Sequence, residues 1–247
     1  MLTKAFIKHI AQLHQKKYRK SSGLFIVEGK KSVREFLETG FACKHLWVTD
    51  IMKTEFTDFS CEVIDENSLK KMSALVHPPG VLAVFEIPDD TDFNLRGLTV
   101  LLDGIQDPGN LGTIIRLCDW FGVTQLICAT ETVDCFNPKV VQASMGSLSR
   151  VRVFYRDLSI VLAERPQDMP VFGAFMDGQN VYETQLPKEG ILVLGNEANG
   201  ISEKIANQIQ HKITIPQKNL HRHTESLNVA TAAAILLSEF CRLSTEK

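Results

Sequence analysis

The chain has 247 residues, 44% of them hydrophobic and 23% charged, with 27 Lys and Arg against 29 Asp and Glu and a net charge of -2. That length supports one large domain or two smaller ones, each with its own core, and that composition excludes disordered and fibrous classes. The longest apolar run, near the C-terminus, is about half the roughly 20 residues that cross a bilayer, so no membrane span is expected.

Residues 4–18 carry helical periodicity and are basic, but they lack the continuous apolar core and cleavage site of a secretory signal. A cytoplasmic location is expected, with an organellar transit peptide as the alternative. Residues 1–34 hold nine Lys or Arg and a single acid, Glu28, which leaves 18 bases and 28 acids over the rest of the chain. The near-neutral total excludes an indiscriminate polyanion binder; the asymmetry lets one end face a polyanion, and a solvated helix flank explains the same residues equally simply. GLFIVEG at 23–29 predicts a strand, 32–39 a helix closed by Gly40, 45–49 and 61–64 short strands, 68–75 a helix and 81–87 a last strand. These elements form a small alternating α/β unit over residues 1–90. The turn-rich, acidic stretch 88–97, PDDTDFNLRG, predicts a linker.

The second region, 98–247, alternates more strongly. Strands are predicted at 98–103, 124–129, 151–155, 171–176, 191–195 and 212–216, and helices near 110–121, 138–147, 157–164, 202–210 and 226–241. Continuous apolar strands separated by helices predict a mostly parallel sheet covered on both faces. Ligands in such sheets sit beyond the C-terminal ends of the strands. Three strand ends there are rich in glycine, asparagine or other polar residues: DGIQDPGNLG after the first strand, GNEANGIS after 191–195, and the stretch after KITIP at 212–216.

In 103–116, DGIQDPGNLGTIIR, the glycines permit close backbone approach, and Asn110 lies near a helix start whose N–H groups can receive an anion. The intact GxGxxG of a dinucleotide loop is absent. Arg116, four residues after Gly112, shares its helix face; its guanidinium reads as a phosphate or carboxylate holder, or as one half of a surface ion pair. Glu197, between Gly195 and Gly200, is suited to accept backbone N–H bonds or to orient a ribose, with Asn199 or Ser202 as the better cap of the helix that follows. His221 and His223 invite a zinc reading, but no further His or Cys stands at a completing distance, and the intervening Arg222 favours a polar or RNA-facing loop. The six cysteines, at 43, 61, 118, 128, 135 and 241, form no CxxC pair, so reduced, mostly buried thiols and no metal are expected.

Taken together, NLGTIIR at 110–116, NPKVVQASMGS at 137–147, ILVLGNEANGIS at 191–202, and IP at 215–216 followed by SLNVATAAAILL at 226–237 resemble the SpoU, or TrmH-like, family of RNA ribose 2'-O-methyltransferases. HQKKYRKSSGLFIVEGKKSVREF at 14–36 is similar to the small α/β RNA-binding domain that many members carry. The resemblance implies a SPOUT-type α/β fold, a knotted and mostly parallel sheet domain preceded by that smaller RNA-binding domain, although knots run against ordinary topology rules. It implies an enzyme that uses S-adenosyl-L-methionine to methylate a ribose 2'-hydroxyl, a homodimer, and structured RNA as partner, ribosomal more than transfer RNA. A non-catalytic RNA-binding or ribosome-assembly protein that keeps the fold is the alternative.

Carried over residue by residue, the resemblance gives Asn110, Arg116, Glu197 and Asn228 catalytic roles. Arg116 is tied to activation of the hydroxyl, as a deprotonated base or as the holder of an RNA phosphate while phosphate or water takes the proton. Gly195, Ile215 and Leu227 are expected to enclose the cofactor with Leu194, Gly200, Pro216 and Ser226, and Ser226 is a candidate cap of the last helix. Lys16, Lys17, Arg19, Lys20, Lys30 and Lys31 are expected to contact RNA phosphates. The third motif departs from the family pattern: Gln217 replaces a methionine, no glycine lies between Pro216 and Ser226, and the bend is about three residues longer, with the two histidines inside it. That departure bears on how the cofactor is held, or on an added RNA-facing rim.

Overall fold

A computed structural model describes residues 2–90, 92–218 and 226–242. The chain divides into two compact units, one of residues 1–90 with 134–150, the other of 91–133 with 151–247. Segment 134–150, expected in the second region, therefore belongs with the first.

In the first unit, strands β1 (Leu24–Glu28), β2 (Cys43–Val48), β3 (Glu62–Val63) and β4 (Val81–Glu86) form a sheet in the order β1-β4-β2-β3. Its pairs are antiparallel except β2 with β3. Helices α1 (Lys4–Gln12) and α4 (Glu66–Met72) pack together, and Ile10, Leu13, Leu69 and Met72 share a buried cluster with Ile26, Trp47, Leu82 and Val84 of the sheet. A second apolar cluster is aromatic: Phe25 lies 5.5 Å from Phe36 of α3 (Lys30–Glu38) and 4.6 Å from Phe136 between ring centroids. Such pairs add about 0.5–1.5 kcal/mol beyond their buried area, which explains why 134–150, with α6 (Pro138–Ser144), joins this core.

The single helix predicted over 4–18 is two helices, α1 and α2 (Lys16–Ser22). The break has a tertiary cause. Arg19 is 2% exposed, and its Nη1 donates to the carbonyls of Leu13 and His14, groups left without partners where α1 ends. Its Nε and Nη2 donate to one oxygen of Asp134, at 3.1 and 2.5 Å. Arg19 is thus internal scaffolding, and its assignment to RNA is corrected.

In the second unit, β5 (Leu98–Asp103), β6 (Gln125–Cys128), β7 (Arg152–Tyr155), β8 (Val171–Asn180), β9 (Gly190–Gly195) and β10 (His211–Thr214) form a parallel sheet in the order β10-β8-β9-β5-β6-β7. The chain leaves β5 toward β6 on one side and β9 toward β10 on the other, so the switch point lies between β5 and β9, paired from Leu98↔Gly190 to Asp103↔Gly195. One face buries Leu101, Val171, Ile191 and Val193 with residues of α7 (Leu158–Ala163) and α8 (Glu203–Ala206). Helices α5 (Pro108–Trp120) and α9 (Val229–Arg242) pack against each other, and Phe172 of β8 meets Phe240 of α9 edge-on. Cys118 on α5 is buried, which pushes its thiol up to about 12 and leaves it inert.

Two elements of the second unit differ most from the sequence prediction. Strand β8 runs four residues past the predicted end, because its register with β10 steps from Lys212↔Gly173 to Ile213↔Gln179. Gly178 makes this possible: a Cβ there would lie 2.5 Å from the Ile213 carbonyl carbon. Helix α8 is a single turn rather than the predicted 202–210.

Candidate active site

The switch point places two loops side by side, 104–107 between β5 and α5, and 196–202 between β9 and α8. The first ends in a well-defined helix start. Asp107 caps α5, its Oδ1 accepting the N–H of Asn110 at 2.8 Å, and Pro108 fills the position where a missing N–H costs nothing. Asn110 therefore sits in the first turn of α5. The second loop is closed by paired backbone bonds of 2.9 Å between Asn196 and Gly200, and Gly200 adopts φ +67°. The loop folds back tightly over the end of β9, where a Cβ on Gly195 would lie 2.2 Å from the Gly200 carbonyl carbon. Only glycine fits there.

Glu197, exposed at the tip of this loop, is the hub of the site. Its Oε1 accepts the side-chain amide N–H of Asn110 at 2.9 Å and the backbone N–H of Asp107 at 3.4 Å; its Oε2 accepts the N–H of Gln106 at 3.4 Å. The Oδ1 of Asn110 in turn accepts from Nδ2 of Asn228 at 2.9 Å, and Oδ1 of Asn228 accepts the N–H groups of Ala230 and Thr231 at 3.0 and 3.2 Å. The polarity of this chain is fixed from both ends. A backbone N–H only donates and an ionised carboxylate only accepts, so neither asparagine amide can flip without breaking two bonds. Three segments distant in sequence are held at one point by side chains. Asn228, and not Ser226, caps α9, which corrects that expectation.

The remaining predicted residues distribute as follows. Leu194 is buried, so it offers the site only main chain; Ile215 and Pro216 follow β10 and are partly buried; Ser226 is exposed and Leu227 is 47% exposed. Arg116 is exposed and makes no hydrogen bond or ion pair with a described residue. It lies about 9 Å along α5 from Asn110 and well round the helix, on an outer face shared with Thr113 and Trp120, the latter 83% exposed. Gly112, expected beside it, is buried. The structure brings Asn110, Glu197 and Asn228 together and leaves Arg116 apart from them. In the first unit, Lys16, Lys17, Lys20 and Lys31 are exposed, whereas Lys30 is paired with Glu55 at 2.6 Å. His221 and His223 lie outside the described residues; among the described residues no three potential metal ligands cluster.

Sequence reasoning missed three residues that tie the loops together. Asn196 donates from Nδ2 to the Gly104 carbonyl at 2.6 Å, and its Oδ1 accepts the N–H groups of Ala198 and Asn199. Gln106 donates from Nε2 to the Glu131 carbonyl at 2.7 Å, joining the loop after β6. Asp103 accepts the Ser202 N–H at 2.7 Å. The available signal was positional: all three stand at or just beyond the ends of adjacent parallel strands.

Residues 97–238 match the SpoU rRNA Methylase family, and residues 4–83 match an MRM3-like substrate binding domain. The chain is 30% identical over 236 residues to a 23S rRNA (guanosine(2553)-2'-O)-methyltransferase of Bacillus subtilis, covering 94% of each. It superposes on the structure of a putative RNA methyltransferase of the TrmH family from Porphyromonas gingivalis with a TM-score of 0.90 and 43% identity, covering 98% of this chain and 99% of that one. An AdoMet-bound rRNA methyltransferase from Sinorhizobium meliloti aligns with a TM-score of 0.85 and 28% identity, over 98% of this chain and 96% of that one.

Proposed function

The chain belongs to the SpoU rRNA methylase family, and from that premise we propose that it transfers a methyl group from S-adenosyl-L-methionine to a ribose 2'-hydroxyl of RNA. The observation that carries this reading is the Asn228–Asn110–Glu197 chain, which unites the three motif segments at the sheet's switch point. Ribosomal RNA as the substrate is supported by the activity named for the Bacillus subtilis relative.

The residues present fit the cofactor. Gly195 and Gly200 present backbone without side chains, and Leu227 offers an exposed apolar surface beside the network, with Ile215 and Pro216 as further apolar candidates. Leu194 contributes main chain, and Ser226 a hydroxyl. Bound S-adenosylmethionine supplies an electrophilic methyl on a positively charged sulfur. The chain's own task is to hold the ribose oxygen in line with that methyl and to assist loss of the proton. Asn110 and Asn228, locked by their neighbours, set the site's donor and acceptor pattern. Arg116 has donors and no acceptor, so its role is to hold an RNA phosphate, with the proton passing to phosphate or water. Lys16, Lys17, Lys20 and Lys31 supply phosphate contacts in the first unit.

We propose further that the C-terminal part of the second unit forms the family's trefoil knot and that the protein is a homodimer. Arg116, which pairs with no described residue, and exposed Trp120 on one face of α5 support a second copy there. We propose a cytoplasmic location, which the Bacillus subtilis relative's 23S rRNA activity supports; no described helix is long and apolar enough to cross a membrane.

Calorimetric titration with S-adenosylmethionine tests the reading. The wild type is expected to bind saturably. Gly195→Ala, whose new methyl collides with the 196–200 loop, is expected to bind at least about tenfold more weakly because several polar contacts shift together. Absence of binding by folded wild-type protein overturns the proposal.

A further inference from the structure

Asp103 ends β5 directly opposite Gly195, is 6% exposed, and has no cationic partner among the described residues. A carboxyl group buried there is costly unless it is hydrogen-bonded, so its contact matters. Oδ2 accepts the N–H of Ser202 at 2.7 Å, at the start of α8, where the Ser202 side chain makes no capping bond of its own. The carboxylate of one strand end thus caps the helix that follows the neighbouring strand.

At the other end of the same loop, Asn196 is tied to the carbonyl of Gly104, the residue after Asp103. Loop 196–202 is therefore pinned at both ends to the end of β5, with Glu197 between the pins. Release of the Ser202 end leaves the loop held by the Asn196 pin and by the bonds Glu197 accepts from Gln106, Asp107 and Asn110, two of them 3.4 Å long.

We propose that Asp103 is a positioning residue, a latch that fixes Glu197 against the start of α5 and so sets the geometry of the Asn110–Asn228 pair. The proposal rests on the methyltransferase reading for its catalytic consequence, but the latch itself is readable in the free protein.

The test compares wild type, Asp103→Ala, Asp103→Asn, Glu197→Ala and the Asp103→Ala/Glu197→Ala double variant. Amide hydrogen exchange comes first: Asp103→Ala is expected to speed exchange across 197–202 by about tenfold or more, while β5 and β9 stay protected. Methyl transfer to ribosomal RNA is then expected to fall about 10- to 100-fold in kcat, with KM for RNA changed less than about twofold. Asp103→Asn, which keeps an acceptor oxygen, is expected to recover to within about fivefold of wild type. In the Glu197→Ala background, Asp103→Ala is expected to add less than about twofold, because both losses act through one group. Unchanged exchange at 197–202, or losses that multiply in the double variant, overturns the proposal. If Asp103→Ala does not fold, Asp103→Ser, too short to reach Ser202, serves in its place with the same expected exchange. Loss of activity in the wild type would count against the functional reading, whereas the exchange result judges the latch alone.

Discussion

Arg19 in the first unit and Glu197 in the second are both hubs, each joined by several hydrogen bonds to other segments of the chain. Arg19 is 2% exposed and gathers the carbonyls of Leu13 and His14 and the carboxylate of Asp134, which holds α1, α2 and the segment at 134 together. Glu197 is exposed, gathers Asn110 and two backbone N–H groups, and does so where strand order reverses. Four bonds serve stability in one place and three serve site geometry in the other, and exposure separates the two. A charge with all its partners inside the core has nothing left for a ligand; one at the mouth of a switch point has.

That contrast is open to attack by substitution. The largest effect is expected from Arg19→Ala, which strands Asp134 and two helix-end carbonyls: denaturant unfolding of the first unit should show a loss of about 3–5 kcal/mol. A loss below about 1 kcal/mol would place Arg19 among surface groups and break the comparison. Glu197→Gln should behave in the opposite way. Its NH2 replaces one of the two oxygens and so faces, donor to donor, either the Gln106 N–H or the N–H groups of Asp107 and Asn110; turnover should fall about 10- to 100-fold while stability changes by less than about 1 kcal/mol. Equal losses of stability and turnover would make Glu197 another Arg19. The smallest effect sharpens the first unit's share of the work: replacing Lys16, Lys17, Lys20 and Lys31 one at a time by Ala should each lower the slope of log affinity against log salt by roughly 0.7 to 0.9. Lys30→Ala, already paired with Glu55, should change it less. Slopes that do not move would remove α2 and α3 from the RNA-facing surface.

Much of the fold was legible because local pattern and tertiary role agree. Strands β4, β5 and β9 are near-continuous apolar runs, and a buried parallel or central strand demands that. The failures share the opposite property. The break between α1 and α2 depends on Arg19 reaching Asp134, more than a hundred residues away, and nothing in 4–18 announces it. The end of β8, DGQN, reads as a turn and becomes strand only because Gly178 lets β10 approach. Segment 134–150 reads as one more α/β step, yet Phe136 and Asp134 attach it to the first unit. In the site, Asn110, Glu197 and Asn228 were found through the order of motifs. Asp103, Asn196 and Gln106 were not, since their partners are backbone groups, which carry no residue identity for a sequence to display.

The central claim, that the network of the second unit serves ribose methylation, is tested most directly by transfer of a labelled methyl group from S-adenosylmethionine to ribosomal RNA. A 2'-O-methyl blocks alkaline cleavage of the adjoining phosphodiester. The account predicts label recovered in alkali-resistant dinucleotides, present with wild-type protein and strongly reduced with Asn110→Ala. Label confined to bases, or RNA bound by folded protein with no label transferred, would contradict it.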